Sequence, residues 1–199
     1  FSHLILWTVI PSISNENLPL DTIEALAWGS NLDWGFSKHP PLSAFAVEIF
    51  YDLFGNQDWA FYLLSQIFII TSFLLIFKLT EEFTNDRFLA LISILLLEGI
   101  FFYNFTSPEF NVNISQIPFW AASLYFSYRC TKFNKISDYI FLVIVLGFGI
   151  LSKYLFIYLA IGVKFLFLYL LFKKEKISFK NIVLTALIMF LILTPHIKW

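Results

Sequence analysis

Residues 18–41 read LPLDTIEALAWGSNLDWGFSKHPP, and the interpretation of the whole chain depends on this stretch. It is the one long polar interruption in a sequence that is otherwise almost continuously apolar. Any polar chemistry that the protein performs is expected to draw on it. Its charged and titratable residues, which stand between two hydrophobic blocks, are Asp21, Glu24, Asp33, Lys38 and His39.

The composition of the chain is that of an integral membrane protein. Of its 199 residues, 59% are hydrophobic and 14% are charged, whereas a soluble domain has about 45–50% and about 25%. The formal net charge of −1 gives no basic field for nucleic acid, so membrane lipids are the expected surroundings and no nucleic-acid partner is expected. The single cysteine, Cys130, excludes a disulfide framework and a thiolate metal cluster.

Six apolar blocks follow the polar stretch, and most approach the ~20 residues that cross a bilayer once their flanks are added. The sequence therefore predicts an all-α, polytopic helical membrane protein. Residues 1–13 are interpreted as the end of a further span, and we expect the chain to be a piece truncated at both ends. The six blocks are 59–77, 88–103, 114–128, 139–151, 154–172 and 182–193.

Lysine and arginine predict the orientation of these helices, because cytoplasmic loops carry the positive excess. With the basic clusters inside, four segments face outward: residues 14–41, residues 105–113, the turn at 152–153 and residues 195–199. The helical pattern at 42–54 must then lie at the outer interface, since a span there would turn every later lysine outward. The basic clusters are Lys78 with Arg87, then Arg129, Lys132 and Lys135, then Lys173, Lys174, Lys176 and Lys180.

Asp21 and Glu24 are three residues apart, so on a helix they share one face. Such a carboxylate pair could remove a proton from an acceptor or hold a divalent cation. The alternative is an aspartate that caps a helix, with a first-turn glutamate that complements the helix dipole. Spacing alone leaves both open and favours the alternative.

The segment Lys38-His39-Pro40-Pro41 places a cation and an imidazole in stiff backbone, because each proline fixes φ and extends the residue before it. A rigid lysine beside an interfacial helix suits a phosphate at the level of the lipid headgroups. The alternative is a lysine that snorkels to the interface next to a proline helix start.

Two later outward segments offer further polar groups. Glu109, Asn111 and Asn113 could contact a substrate, or they could form a polar turn in which Asn113 caps the next helix. Lys153 lies in a tight turn, where anchoring of the chain at the interface is the alternative.

Glu98 and Lys164 lie nearer the middle of their blocks, where charges are costly and normally face a bundle interior or a cavity. If both lined a path across the membrane, the chain would be a transporter or a lipid flippase. A second alternative is a non-catalytic subunit of an envelope complex. The sequence carries no Walker A, GxGxxG, HExxH or GxSxG motif, so no nucleotide-binding Rossmann domain is indicated and any donor substrate would have to arrive on a membrane lipid.

Several short segments are more informative as an ordered set than alone. They are LPLDTIEALAWG (18–29), GFSKHPPL (35–42), FG (54–55), PEFNVN (108–113) with Trp120 seven residues later, GILSKY (149–154) and TPHIKW (194–199). The set resembles the GT-C glycosyltransferases, most closely the bacterial branch grouped with the dolichyl-phosphate-mannose-protein mannosyltransferases and the lipid A aminoarabinose transferases. The resemblance implies a GT-C-type transmembrane bundle with juxtamembrane helices in the first outer loop.

The resemblance also implies that residues 1–199 form a single transmembrane catalytic domain, which would be the N-terminal part of a longer chain. It further implies an activity for this domain. A sugar would pass from a polyprenyl-phosphate donor to a lipid, glycan or protein acceptor of the cell envelope, in lipopolysaccharide or protein glycosylation. The site would face the periplasm from the bacterial inner membrane. Asp21 matches the family's catalytic acid, and Lys153 matches the lysine of its SKY element.

The aminoarabinose transferases have Glu-Lys where this chain has Lys38 and His39; there the lysine engages the lipid phosphate and the glutamate helps to hold a metal. Asn113 stands where many relatives have Asp, and a neutral amide cannot act as a base, so Glu109 could substitute. A divalent cation on Asp21 and Glu24 is the one cofactor considered. The predicted site is catalytic Asp21 and Glu24, lipid-phosphate-binding Lys38, His39 and Lys153, and substrate-binding Glu109, Asn111 and Asn113.

Overall fold

The computed structural model of the protein describes residues 1–175 and 177–199, so Lys176 of the third basic cluster lies outside the described residues. Within these ranges all regular secondary structure is helical, which confirms the all-α prediction. Short 3₁₀ turns occupy Phe101–Tyr103 and Tyr154–Phe156. The α-helices are α1 (Ser2–Ser14), α2 (Leu20–Gly29), α3 (Leu42–Phe54), α4 (Asp58–Thr84), α5 (Arg87–Glu98), α6 (Val112–Phe133), α7 (Ile136–Ser152), α8 (Ile157–Phe172) and α9 (Phe179–Lys198).

Among residues 1–175 and 177–199, three segments are long and apolar enough to cross a membrane, judged by length and composition. They are α4 with 27 residues, Tyr154–Phe172 with 19 residues, which joins the second 3₁₀ turn to α8, and α9 with 20 residues. The helices α1 and α7 are apolar but shorter. The prediction of a polytopic helical membrane protein is therefore confirmed.

The central helix of the bundle is α4, which packs against α1, α5 and α6. Phe61, Leu64 and Ile69 of α4 are buried in a core that also contains Phe110 and Ile114. A second core joins α6, α7 and α8. Because the hydrophobic effect provides little driving force for helices to associate within lipid, close packing of this kind holds such a bundle together.

The helix connections gather at two ends of the bundle. Asn15 donates to the hydroxyl of Tyr62 at 3.1 Å, and His196 at the end of α9 bonds to the backbone carbonyl of Trp34. We call this end, which also holds the loop before α6 and the turn after α7, the site end. The opposite end, where α4, α6 and α8 finish, is called the basic end and carries the described residues of the three basic clusters, as the alternation of loops predicted.

The helices α2 and α3 pack on each other at the site end, and α3 also contacts α4, α6 and α7. The range of α3, Leu42–Phe54, agrees with the helix that the sequence predicted at the interface. Gly29 permits the close approach of the two helices, because a Cβ atom at this position would lie 2.8 Å from the carbonyl oxygen of Ala44. These are the juxtamembrane helices that the resemblance implied.

The apolar block 88–103 does not form a single span, so this prediction is wrong in its extent. The helix α5 ends at Glu98, and the chain reaches α6 through irregular backbone with one 3₁₀ turn. Ser65 of α4 donates to the carbonyl of Ser107, and Gln66 donates to the Ser107 hydroxyl at 3.1 Å, all of them buried. Buried irregular backbone needs protein groups that satisfy its polar atoms, and α4 supplies such groups here.

Candidate functional site

Asp21 lies in the first turn of α2, but no side chain caps this helix. Instead, the loop before α6 holds the residue. Its carboxylate oxygen Oδ2 accepts a hydrogen bond from Asn111 Nδ2 at 3.3 Å, and its backbone N–H donates to Glu109 Oε1 at 3.3 Å. The helix-capping alternative is therefore not what the structure shows.

Besides Glu109, the side chains of Asn111 and Thr22 fix the loop before α6 to α2. Asn111 is the N-cap of α6, and its Oδ1 accepts from two backbone N–H groups, including that of Asn113 at 2.9 Å. Thr22 Oγ1 donates to the carbonyl of Phe110 at 3.1 Å in a buried position. The alternative that the sequence left open put a helix cap at Asn113, whereas the structure places the cap at Asn111. One amide thus couples the start of α6 to the Asp21 carboxylate.

Lys38 forms an ion pair with Glu24, with Nζ 2.9 Å from Oε2. Both side chains are partly exposed, at 55% and 32%, so the pair contributes little to stability. The hydrogen bond to Glu24 raises the pKa of Lys38. Lys38 is therefore a cation whose charge is already balanced by a neighbouring carboxylate.

His39 follows Lys38 and is half-buried against aromatic rings. Its imidazole meets the Trp28 indole edge to face at 5.8 Å between ring centroids, and this indole stacks on Phe36 at 5.3 Å. Burial, and after it the charge of Lys38, lowers the pKa of His39 below its ordinary 6.5. At neutral pH His39 is therefore an uncharged hydrogen-bonding group.

Lys153 follows α7 and donates through Nζ to Asn113 Oδ1. Within residues 1–175 and 177–199 no carboxylate lies within ion-pair distance of it. The charge of Lys153 contributes to lowering the pKa of His39, so it acts on the same side of the site end. Lys153 is thus a fixed cation whose bonding partner is a neutral amide.

Several of these groups line one small cleft, which we call the acidic cleft. The volume of the cleft is about 10 Å³, which is enough for about one water molecule. Lys38 reaches the cleft through its pair with Glu24, whereas Glu109, Asn113 and Lys153 are not among the lining residues. The lining residues are Asp21, Glu24, Ala25, Trp28, His39, Ser43, Asn111 and Val112.

Trp28 and Ser43 belong to this cleft although the sequence did not predict them as site residues. Trp28 lies four residues after Glu24, so helical spacing places the two on one face, and this signal could have identified it. The burial of Ser43 results from the packing of α2 on α3, which no local pattern reveals.

Glu98 and Lys164, which the sequence placed nearer the middle of their blocks, lie in separate surroundings. Glu98 pairs with His3 of α1 at 2.7 Å. Lys164 lines a mostly apolar cavity of about 400 Å³ between α7, α8 and α9, and Glu98 is not among its lining residues. A transport path would need both charges to line one route, so this arrangement does not support the transporter alternative.

The carboxylates of Asp21 and Glu24 do not form a convincing metal site by themselves. That of Glu24 is engaged by Lys38, and in the described part of the chain no three His, Cys, Asp or Glu side chains form a group that could hold a metal ion. The divalent cation stays a prediction, and no chemical step below depends on it.

Comparison with known families gives a match that covers well over half of the chain. Residues 38–199 match the family model described as dolichyl-phosphate-mannose-protein mannosyltransferase. The matched range begins at Lys38 and includes Lys153, whereas Asp21 and Glu24 precede it. No curated protein and no solved structure matches the chain.

Proposed function

The chain belongs to the dolichyl-phosphate-mannose-protein mannosyltransferase family, a GT-C family of membrane glycosyltransferases, and from this we propose that it uses a polyprenyl-phosphate-linked sugar as its donor. The acceptor is a lipid, glycan or protein of the cell envelope. The site end faces the periplasm from the bacterial inner membrane. The clustering of lysine and arginine at the opposite end supports this orientation.

The observation that carries the proposal is the placement of the Asp21 carboxylate beside cationic groups at one end of the bundle. Asp21 lines the acidic cleft together with His39. Lys38 is bonded to Glu24 of the same cleft, and the charge of Lys153 reaches His39. A base for the acceptor and a cation for the departing phosphate are the groups that a displacement at the anomeric carbon requires.

Asp21 acts as the base in this mechanism. The acceptor oxygen forms a bond to the anomeric carbon of the sugar, and its proton passes to the Asp21 carboxylate. Asn111 holds Oδ2, which leaves Oδ1 to receive the proton. The loop before α6 therefore fixes the direction of the carboxylate before substrate binds.

Lys153 stabilises the leaving group. As the bond between the anomeric carbon and the phosphate oxygen breaks, its electron pair leaves with the lipid phosphate, where negative charge grows. A cation that is already held in place, as Lys153 is by Asn113, lowers the barrier because it needs no reorganisation. Lys38 can contribute once the phosphate competes for it with Glu24, and neutral His39 can contribute a hydrogen bond.

The Asp21→Asn variant tests this function in the full-length protein, reconstituted in proteoliposomes with radiolabelled polyprenyl-phosphate sugar and membrane acceptors. We expect the transfer rate to fall by about 10²–10⁴-fold, because the amide cannot take the proton. Expression and thermal unfolding should be unchanged, since an amide oxygen can still accept the bond from Asn111.

Asp33→Asn is the matched control. Asp33 is an exposed carboxylate of the same polar stretch, residues 18–41, and it does not line the acidic cleft, so transfer should be unaffected. Normal transfer by Asp21→Asn would rule out the catalytic role of Asp21. Failure of the wild-type protein to transfer any tested sugar would reject the donor class.

A further inference from the structure

Ser43 has a feature that the proposed mechanism does not use. Its side chain is 1% exposed, and its hydroxyl has no hydrogen-bond partner among the described residues. It lies in the first turn of α3, two residues after Pro41, and it lines the acidic cleft. Because a buried hydroxyl without a partner is unfavourable, such a group is usually satisfied by water or by a ligand.

The other groups of the acidic cleft indicate what that ligand is. Asp21 and Glu24 accept hydrogen bonds, Asn111 both accepts and donates them, and Trp28 offers an aromatic surface. Two carboxylates repel a phosphate, which is drawn instead to the uncompensated charge of Lys153. The cleft therefore suits a neutral, hydroxyl-rich group.

The size of the cleft limits how much of a ligand it admits. Room for about one water molecule is also room for about one hydroxyl group. A sugar ring would therefore lie at the mouth and insert a single hydroxyl. Since the cations for the phosphate lie beside the same cleft, the sugar attached to that phosphate is the one placed there.

We infer that the acidic cleft is the subsite for the sugar of the donor and that the Ser43 hydroxyl binds one of its hydroxyl groups. This inference rests on the proposed function and names a specificity residue within it. The chemistry is that of a polar site that gains its missing partner only from the correct substrate.

The test compares binding of two kinds of lipid to the full-length protein in nanodiscs. One is bare polyprenyl phosphate, and the other is polyprenyl phosphate carrying mannose, glucose, galactose or arabinose. For the sugar that wild type binds most tightly, Ser43→Ala should raise Kd by about 5- to 10-fold, the loss expected for one hydrogen bond. The Kd of the bare lipid should stay unchanged, because the phosphate does not contact Ser43.

Ser123→Ala is the matched control. Ser123 of α6 is likewise fully buried, and its hydroxyl has no hydrogen-bond partner among the described residues, but it lies outside the acidic cleft. Ser123→Ala should change neither the Kd of the bare lipid nor the Kd of the sugar-loaded lipid. The thermal unfolding temperature of Ser43→Ala should not fall, because the variant removes a hydroxyl that makes no hydrogen bond to the described residues.

The outcomes separate this inference from the function beneath it. If wild type prefers sugar-loaded lipid and Ser43→Ala keeps that preference, the Ser43 hydroxyl binds water only and the inference is wrong, while the proposed function stands. An equal loss of affinity for both lipids would assign Ser43 to the phosphate and also overturn the inference. If wild type binds neither lipid, both proposals fail.

Discussion

The two ends of the helical bundle both gather charged residues, but they arrange them differently. At the basic end Arg129 donates to Glu82 at 2.8 Å and to Asp138 at 2.9 Å. The side chains of Arg129 and Asp138 are only 23% and 5% exposed, and the guanidinium also lies 5.0 Å from the ring centroid of Phe133. This one arginine thus joins α4, α6 and α7.

At the site end the charges are more open and less completely paired. Lys38 and Glu24 form a partly exposed pair, and Lys153 meets a neutral amide. The Asp21 carboxylate is held through one oxygen by Asn111. A phosphate or a hydroxyl can therefore enter without breaking a buried ion pair.

The difference teaches which charges serve the fold and which are available for chemistry. A buried pair is weak evidence for net stability, but removal of one partner strands the other and is strongly unfavourable. A cation without a compensating carboxylate, placed beside a cleft, marks a candidate functional site. Substitutions at the two ends should accordingly change different measured quantities.

The largest effect on stability is expected from Arg129→Leu at the basic end. The change leaves the carboxylates of Glu82 and Asp138 without their cation, which should lower the free energy of unfolding by about 3–5 kcal/mol. Denaturant unfolding in detergent measures this loss. Transfer activity per folded molecule should remain near that of wild type, since the cluster lies at the end opposite the site.

Arg87→Leu is the control for that prediction. Arg87 also pairs with a carboxylate at the basic end, that of Glu81 at 2.7 Å, but its side chain is 86% exposed. An ion pair this exposed to solvent contributes little to stability, so little destabilisation is expected. Equal losses in the two variants would show that burial does not distinguish these pairs.

Lys153→Met tests the site end of the bundle and should lower the catalytic rate. We expect kcat to fall by about 100-fold, the loss typical of one preorganised group that stabilises transition-state charge. The thermal unfolding temperature should change little, because the lysine forms no ion pair within the described residues. Transfer assays at saturating donor measure the effect.

Lys38→Met sharpens the same test, because its charge is already balanced by Glu24. Its effect on kcat should be smaller than that of Lys153→Met. The reverse order would identify Lys38 as the main phosphate ligand and would mean that the pair with Glu24 opens when the donor binds.

Local patterns in the sequence predicted the parts of this architecture that depend on local physics. The bounds of α3 follow from two prolines before an apolar run and a glycine after it. The shared face of Asp21 and Glu24 follows from helical spacing, and both line the acidic cleft. The ends at which the lysines gather follow from the alternation of spans.

Features that depend on partners distant in sequence could not be predicted. The irregular chain after Glu98 is supported by Ser65 and Gln66, about 40 residues earlier, through bonds to Ser107. The partners of Arg129 at the basic end and the packing that buries Ser43 arise in the same way. No periodicity within one segment records such contacts.

The smallest effect is expected for His39 and concerns pH. Burial and the charge of Lys38 lower the pKa of His39 below 6.5, so the imidazole is mainly neutral from pH 8 down to 6.5. In that range the ratio of transfer rates between wild type and His39→Gln should vary by less than about twofold, because neither side chain changes its charge. A rate ratio that rises steeply between pH 8 and 6.5 would show that His39 binds the phosphate as a cation.

The stability of the protein supplies a second measurement of the charge on His39. Since the folded pKa lies below the unfolded one, the stability linked to neutral His39 is present above pH 6.5 and is lost as pH falls through the folded pKa. The thermal unfolding temperature of wild type should therefore fall more steeply than that of His39→Gln as the pH is lowered below 6.5.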